Sequence, residues 1–270
     1  MRVTLAVTWN PRGELARFLA LLPVLAHVYA ALAIVVPPAT QEASPDEPAL
    51  DVLAHTPLAQ AGRLIGRPAP VWAQGRYLAL KTAREFSTAH VQYADLDRLL
   101  RWAETRPAEW QQTVRRIEAC EALVIGRTAA AYATHPQALV KTEALSNRLV
   151  SSFLGREMDV SAGSKAFSRR ALEYLVNHAR PERPLGADAE WPILLKRAGF
   201  SLDYLEVDGL DWESADRYRS SAADAAVQSE MAVLYDADPK HWAYRVAVAH
   251  EIVESALDAS QRPLSSFSNL

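Results

Sequence analysis

The opening of the chain alternates an apolar strand, an amphipathic helix and a second apolar strand. That order constrains the fold more than any other feature. Arg2 to Thr8 carries Val3-Thr4-Leu5-Ala6-Val7, which reads as a buried first strand. Asn10 before Pro11 reads as a helix start, with Asn as cap and Pro at the first helical position. Leu15, Phe18, Leu19 and Leu22 then recur at i, i+3, i+4 and i+7, one face of a helix. With Pro23 as the break, Val28 to Val36 reads as the second strand, stopped by Pro37-Pro38. A strand–helix–strand unit favours a parallel sheet with helices packed on it.

Downstream segments extend the same α/β pattern. Helical spacing is predicted over Gly75–Phe86, around Trp110, Val114 and Ile117, over Lys141–Phe153, Arg169–Asn177 and Ala187–Ala198, and again beyond Ala215 to about Ala259 with a break at Asp238-Pro239. Strands are predicted over His90–Ala94, Ala122–Ile125, Ala166–Ser168 and Ser201–Val207. Ser168 is placed to cap the helix after it, and Gly199 to close the helix before the last strand. Gln41 to Pro48 is polar and proline-bearing, so it reads as a loop.

Half of the 270 residues are apolar, enough for one large domain or two small ones. A net charge of −3 argues against a nucleic-acid partner. The single cysteine, Cys120, cannot form an internal disulfide and fits a reducing, cytoplasmic setting. The apolar stretch Leu15–Val36 contains Arg17, Pro23 and His27, which count against a membrane-spanning helix. The strand-like run ahead of it counts against a signal peptide. A peripheral membrane contact and a homodimer both stay open. No Gly-x-x-x-x-Gly-Lys-[Ser/Thr], Gly-x-Ser-x-Gly, Cys-x-x-Cys or His-Glu-x-x-His is present, which removes the simple P-loop, hydrolase and zinc readings.

Chemistry concentrates first at Ala89-His90-Val91-Gln92-Tyr93-Ala94-Asp95-Leu96-Asp97, where a strand-like run ends in two carboxylates. On extended backbone, side chains two apart point the same way, so Asp95 and Asp97 are expected to face one site. Hard oxygen ligands of this kind suit a divalent cation that also holds phosphates.

The alternation of helix, strand and Asp-x-Asp, with Gly75-Arg76-Tyr77-Leu78 opening the helix, resembles the nucleotide-sugar half of GT-A glycosyltransferases. Asp159-Val160-Ser161-Ala162-Gly163-Ser164-Lys165-Ala166-Phe167-Ser168-Arg169-Arg170-Ala171-Leu172 is similar to the glycine-containing turn and "F-S-R-x-A-L" junction of family 2-like members. Gly186-Ala187-Asp188-Ala189-Glu190, followed by Arg197-Ala198-Gly199-Phe200, resembles the acidic helix start and "R-x-G-[FY]" that follow it. The resemblance covers residues 1–213. It implies a mainly parallel central sheet flanked by helices, with 214–270 as a helical C-terminal extension packed on that domain.

The resemblance further implies inverting, non-processive transfer of a sugar from a nucleotide-diphosphate donor to a small-molecule or lipid-linked hydroxyl acceptor, dependent on Mg²⁺ or Mn²⁺. Asp97 and Asp95 would serve the metal, with Asp95 also near the ribose. Arg76, Thr8, Asn10 and Arg12 would contact the nucleotide, and Asp188 would be the catalytic base. Two departures matter. The usual Glu-Asp pair is Ala187-Asp188 here, and Val35-Val36-Pro37-Pro38-Ala39-Thr40 replaces an acidic turn after the second strand.

Each residue also has a plainer role. Arg76 and Arg12 read equally as surface arginines, and Asp188 as a helix cap. Glu190 reads as a capping partner or an acceptor contact. Asp208–Glu213 reads as an acceptor-pocket lining or a loop with a buried Trp. His241 and His250 are the candidates for a further metal ligand. The rival functions are a non-catalytic GT-A-like nucleotide-binding or scaffold protein and a nucleotidyltransferase.

Overall fold

The computed structural model describes residues 3–38 and 49–263. The expected loop 41–48, residue Arg2 and the Ala39-Thr40 end of the turn lie outside them. The fold is α/β, built on a seven-stranded sheet. Its strands are β1 (Val3–Thr8), β2 (Ala31–Val36), β3 (Leu64–Pro68), β4 (His90–Asp95), β5 (Ala122–Arg127), β6 (Ser164–Ser168) and β7 (Leu202–Val207). They lie in the order β3-β2-β1-β4-β6-β5-β7. Only β6 runs against its neighbours, β4 and β5; every other pairing is parallel.

Helices cover both faces, which is why β1, β2 and β5 read as unbroken apolar runs. One face is buried by α1 (Leu15–Val28), α2 (Ala49–Ala54), α3 (Pro57–Gln60), and further along by α5 (Leu96–Thr105) and α6 (Pro107–Ile117). Leu5, Val7 and Ile34 meet Phe18, Leu25, Leu99 and Trp110 there. The other face is buried by α4 (Gly75–Ala83), α8 (Gln137–Leu154), α9 (Arg169–His178), α10 (Ala187–Arg197) and α12 (Pro239–Gln261). Ala6 and Tyr93 share that core with Leu80, Trp191 and Ile252. The remaining helices are the short α7 (Ala129–Ala133) and α11 (Ala225–Ala237), which leads into α12.

Ser168 caps α9 by accepting from the Ala171 N–H, and Gly199 ends α10 at φ +82°, as the sequence predicts. Five expectations need correction. Asn10 does not cap the first helix and Pro11 does not open it; α1 starts at Leu15, with Glu14 at the cap position. Pro23 does not break α1, which continues to Val28, so β2 starts at Ala31 rather than Val28. Pro23 is exposed, so the carbonyl its ring leaves unpaired can meet water, while Leu25 keeps the apolar face in the core. The strand β3 and helices α2, α3, α5 and α7 have no counterpart in the sequence reading. Helix does not begin at Ala215; a 3₁₀ turn over Ser214–Asp216 precedes non-helical residues up to α11. Finally, Asp95 ends β4 but Asp97 already lies in the first turn of α5, so strand alternation does not align them.

Candidate functional site

The chain order reverses direction across the sheet between β1 and β4. β1 leads to β2 on one side, while β4 lies on the other. In an open α/β sheet, the crevice beyond the C-terminal ends of strands at such a switch is where ligands bind. The register sets Thr8 opposite Asp95 at those ends. Because β6 runs the other way, its start, just after Ser161 and Gly163, arrives at the same edge. A cleft of about 1060 Å³ opens there. Thr8, Asn10, Arg12, Arg76, Asp95, Asp97 and Asp188 all line it, so the residues expected to hold donor, metal and base are brought to one place.

Their charged side chains form two ionic clusters, one around Arg76 and one that joins Arg12 to Asp97. Arg76 is buried, not a surface arginine, and donates to Asp95 at 2.8 Å while lying 2.9 Å from Asp188. The other Asp95 oxygen accepts from the Tyr93 hydroxyl at 2.6 Å, and that hydroxyl lies 3.1 Å from Thr8 Oγ1. Arg12 donates to Asp97 at 2.8 Å, and the Arg98 N–H donates to the second Asp97 oxygen at 2.9 Å. Gly163, at φ +69°, passes so close that a Cβ there would stand 2.5 Å from Asp95 Oδ2. Only glycine suits both that conformation and that approach.

Asp188 is not a cap. Gly186 holds the cap position of α10, and Asp188 sits in the first turn, 3 % exposed. Its carboxylate is clamped between Arg76 and Lys165, whose Nζ donates at 2.6 Å and is itself 1 % exposed. Burial pushes the Asp188 carboxyl up, but Arg76 and Lys165 outweigh burial and hold it below its ordinary range. Burial lowers Lys165 further than Asp188 raises it, the mark of an ammonium deep in low dielectric.

The loop after β7 resolves into separate duties. Asp211 pairs with Arg101 at 2.7 Å, Trp212 is buried against Leu139, and Glu213 lines the cleft. Glu213 Oε2 is buried and accepts no hydrogen bond; Arg98 Nε is 3.5 Å away. Desolvation first, then the charge of Glu213, raise the Asp97 carboxyl to about 6, against the opposing pull of Arg12. A partly exposed carboxylate, Asp97, beside a buried one, Glu213, that has an unsatisfied oxygen suits a divalent cation. Asp95, with both oxygens taken, suits it less. No three His, Cys, Asp or Glu side chains gather as a ligand set among the described residues. A cation at Asp97 and Glu213 would therefore need oxygens from a bound diphosphate, which is how Mg²⁺ is commonly held.

His241 and His250 do not supply a third ligand. His241 stacks on Tyr235, with ring centroids 3.9 Å apart and Nδ1 2.7 Å from the Tyr235 carbonyl. His250 is exposed and faces Glu254 at 3.7 Å. Glu190 is no acceptor contact either, since it accepts from the Arg180 N–H and Arg262 away from the cleft. Sequence reasoning missed Lys165, Tyr93 and Trp72. A lysine inside the short apolar run Ser164–Ser168 was a readable signal, because burying it demands a counter-charge. Trp72 stands 38 % exposed on the cleft wall ahead of α4, and nothing in its sequence neighbourhood marks it.

Among the solved structures similar to this chain are two of one enzyme. Glucosyl-3-phosphoglycerate synthase from Mycobacterium tuberculosis, in complex with Mn²⁺, uridine-diphosphate-glucose and phosphoglyceric acid, matches at a TM-score of 0.47 and 10% identity, covering 97% of this chain and 81% of that one. The same enzyme in complex with uridine-diphosphate matches at a TM-score of 0.45 and 11% identity, with the same coverage. No protein-family model and no curated protein matches the sequence.

Proposed function

We propose that this chain is a glycosyltransferase that moves a sugar from a nucleotide-diphosphate donor to a hydroxyl acceptor. The observation that carries the reading is the convergence of Arg12 and Arg76 with Asp95, Asp97 and Asp188 at the switch between β1 and β4. A diphosphate leaving group needs fixed positive charge at its oxygens, and preorganised donors in a water-poor cleft supply it. Arg12 and Arg76 are the donors at hand, with Thr8 and Asn10 beside them at the end of β1. Trp72 offers a ring face on which a nucleobase would stack. Mg²⁺ or Mn²⁺, held by Asp97 and Glu213 together with the diphosphate, would add Lewis-acid stabilisation of the leaving group. The division into a transferase domain over 1–213 and a helical extension over 214–270 is part of this proposal.

Asp188 is the base in this reading, and it gains that role only when Arg76 turns from it to the donor. A carboxylate clamped by two cations is a weak proton acceptor. That same clamp favours the second reading, a non-catalytic nucleotide-binding protein, in which Asp188 simply holds Arg76 and Lys165.

Calorimetric titration with UDP and GDP, each with and without Mn²⁺, tests the shared premise. Binding of at least one, weakened at least tenfold in Arg76→Ala, is expected. Failure of every nucleoside diphosphate to bind rejects both readings. Donor binding without sugar release or transfer across a panel of hydroxyl acceptors selects the second.

A further inference from the structure

The cleft has two unlike ends. Beyond the ionic clusters its wall is made by α11 and α12, where apolar side chains line it beside Asp238, Lys240, His241 and Arg245. On α12, Tyr244, Val248 and Ile252 fall at i, i+4 and i+8, one face of the helix. At 1.5 Å per residue the stripe is about 12 Å long. It grades from Tyr244, 53 % exposed, through Val248 to Ile252, 1 % exposed, so it runs from the mouth inwards. On α11, Met231 and Leu234 line the same cleft, and Leu234 is 56 % exposed. Half-exposed Leu, Met and Tyr clustered on a cleft wall cost solubility and mark a binding surface.

We infer that this wall binds the linear alkyl portion of a hydroxylated amphiphile, which is the acceptor class of the site. The acceptor role rests on the glycosyl-transfer reading; the apolar binding does not. Continuity supports the assignment, because one cleft joins the stripe to Arg12, Arg76 and Asp188. Its volume, about 1060 Å³, lies at the upper end of ligand pockets and leaves room for a second molecule beside a donor. The shape supports a chain rather than a compact ring system, since the apolar residues follow a line. Charge argues for a dispersed amphiphile over a bilayer: residues 225–261 hold six carboxylates and two basic side chains, a net charge of −4 that an anionic membrane surface would repel.

The test is titration with methyl, butyl, hexyl and octyl β-glucoside, each below its micelle concentration, on the full chain. Affinity is expected to rise about two- to fourfold per added methylene beyond butyl, as for partly to fully buried CH₂ groups. The Leu234→Glu/Tyr244→Glu variant should flatten that rise while keeping the wild-type thermal midpoint and nucleoside-diphosphate binding, because both side chains are largely exposed. Affinity that is flat with chain length overturns the inference, and so does a rise that persists unchanged in the variant. Binding to phosphatidylcholine vesicles without binding to octyl glucoside also overturns it, in favour of a bilayer contact. Nucleoside-diphosphate binding without alkyl dependence rejects this inference alone, whereas the reverse result rejects only the transferase reading.

Discussion

The sheet-side wall and the helical wall of the cleft are built on opposite principles. On the sheet side, the charged groups are buried or partly buried and spent on one another: Asp188 on Lys165 and Arg76, both buried, and the partly buried Asp95 on Arg76 and Tyr93 and Asp97 on Arg12. Low dielectric makes each such contact strong and each unpaired member costly. On the helical side, Met231, Leu234 and Tyr244 are exposed and contribute little to the interior. The first wall should therefore behave as part of the folding framework, and the second as a surface kept for a ligand.

The sharpest way to break that contrast is Asp188→Asn. The amide keeps the shape but leaves Lys165 buried without its counter-charge, so stability should fall by about 3–5 kcal/mol. Urea denaturation reads it directly. A loss below about 1 kcal/mol would mean that Lys165 finds another partner and the network is looser than its geometry. Replacing both partners, as Asp188→Leu with Lys165→Met, should recover most of the loss, since an apolar pair of similar volume is often neutral.

Asp159 extends the test behind the cleft. It accepts from Arg127 at 2.7 and 2.8 Å and from Asn147 at 2.8 Å. Burial raises its carboxyl, but Arg127 outweighs burial and holds it well below the ordinary range. A depressed carboxylate contributes stability above its unfolded pKa, near 3.9, and loses it as pH falls through the folded value. Asp159→Asn should thus cost about 3 kcal/mol at pH 7, with the gap to wild type narrowing below about pH 4. A gap that stays constant from pH 7 to pH 3 would show that the carboxylate charge is not what matters.

Gly163→Ala should have a smaller effect, about 1–3 kcal/mol, because it strains a left-handed residue and pushes on Asp95. It should also weaken nucleoside-diphosphate binding, a change a purely structural turn would not produce. The smallest effect belongs to the other wall. Leu234→Glu should change stability by no more than about 0.5 kcal/mol, as surface substitutions do. A larger loss would place Leu234 in the fold's framework and erase the contrast.

Local pattern was enough for the βαβ opening, for the helix at Trp110 to Ile117, for the Ser168 cap and for Gly199, because period, caps and turn residues act within a few positions. Short motifs also singled out Arg76, Asp95, Asp97 and Asp188, which the fold brings to one cleft. Local pattern misled at Pro23, where the core contact of Leu25 outweighed the proline, and at Asp97, where α5 starts one residue after Asp95. It was silent on β3, an edge strand with little apolar content. What the tertiary structure alone decided is which charge meets which. Asp188 finds Lys165 across 23 residues, and Arg76 finds it across more than a hundred, because β6 runs against β4 and brings the start of that strand to the C-terminal edge of the sheet. An ionisable side chain's partners, and hence its proton affinity, depend on distances that register and strand direction set, and no spacing along the chain encodes them.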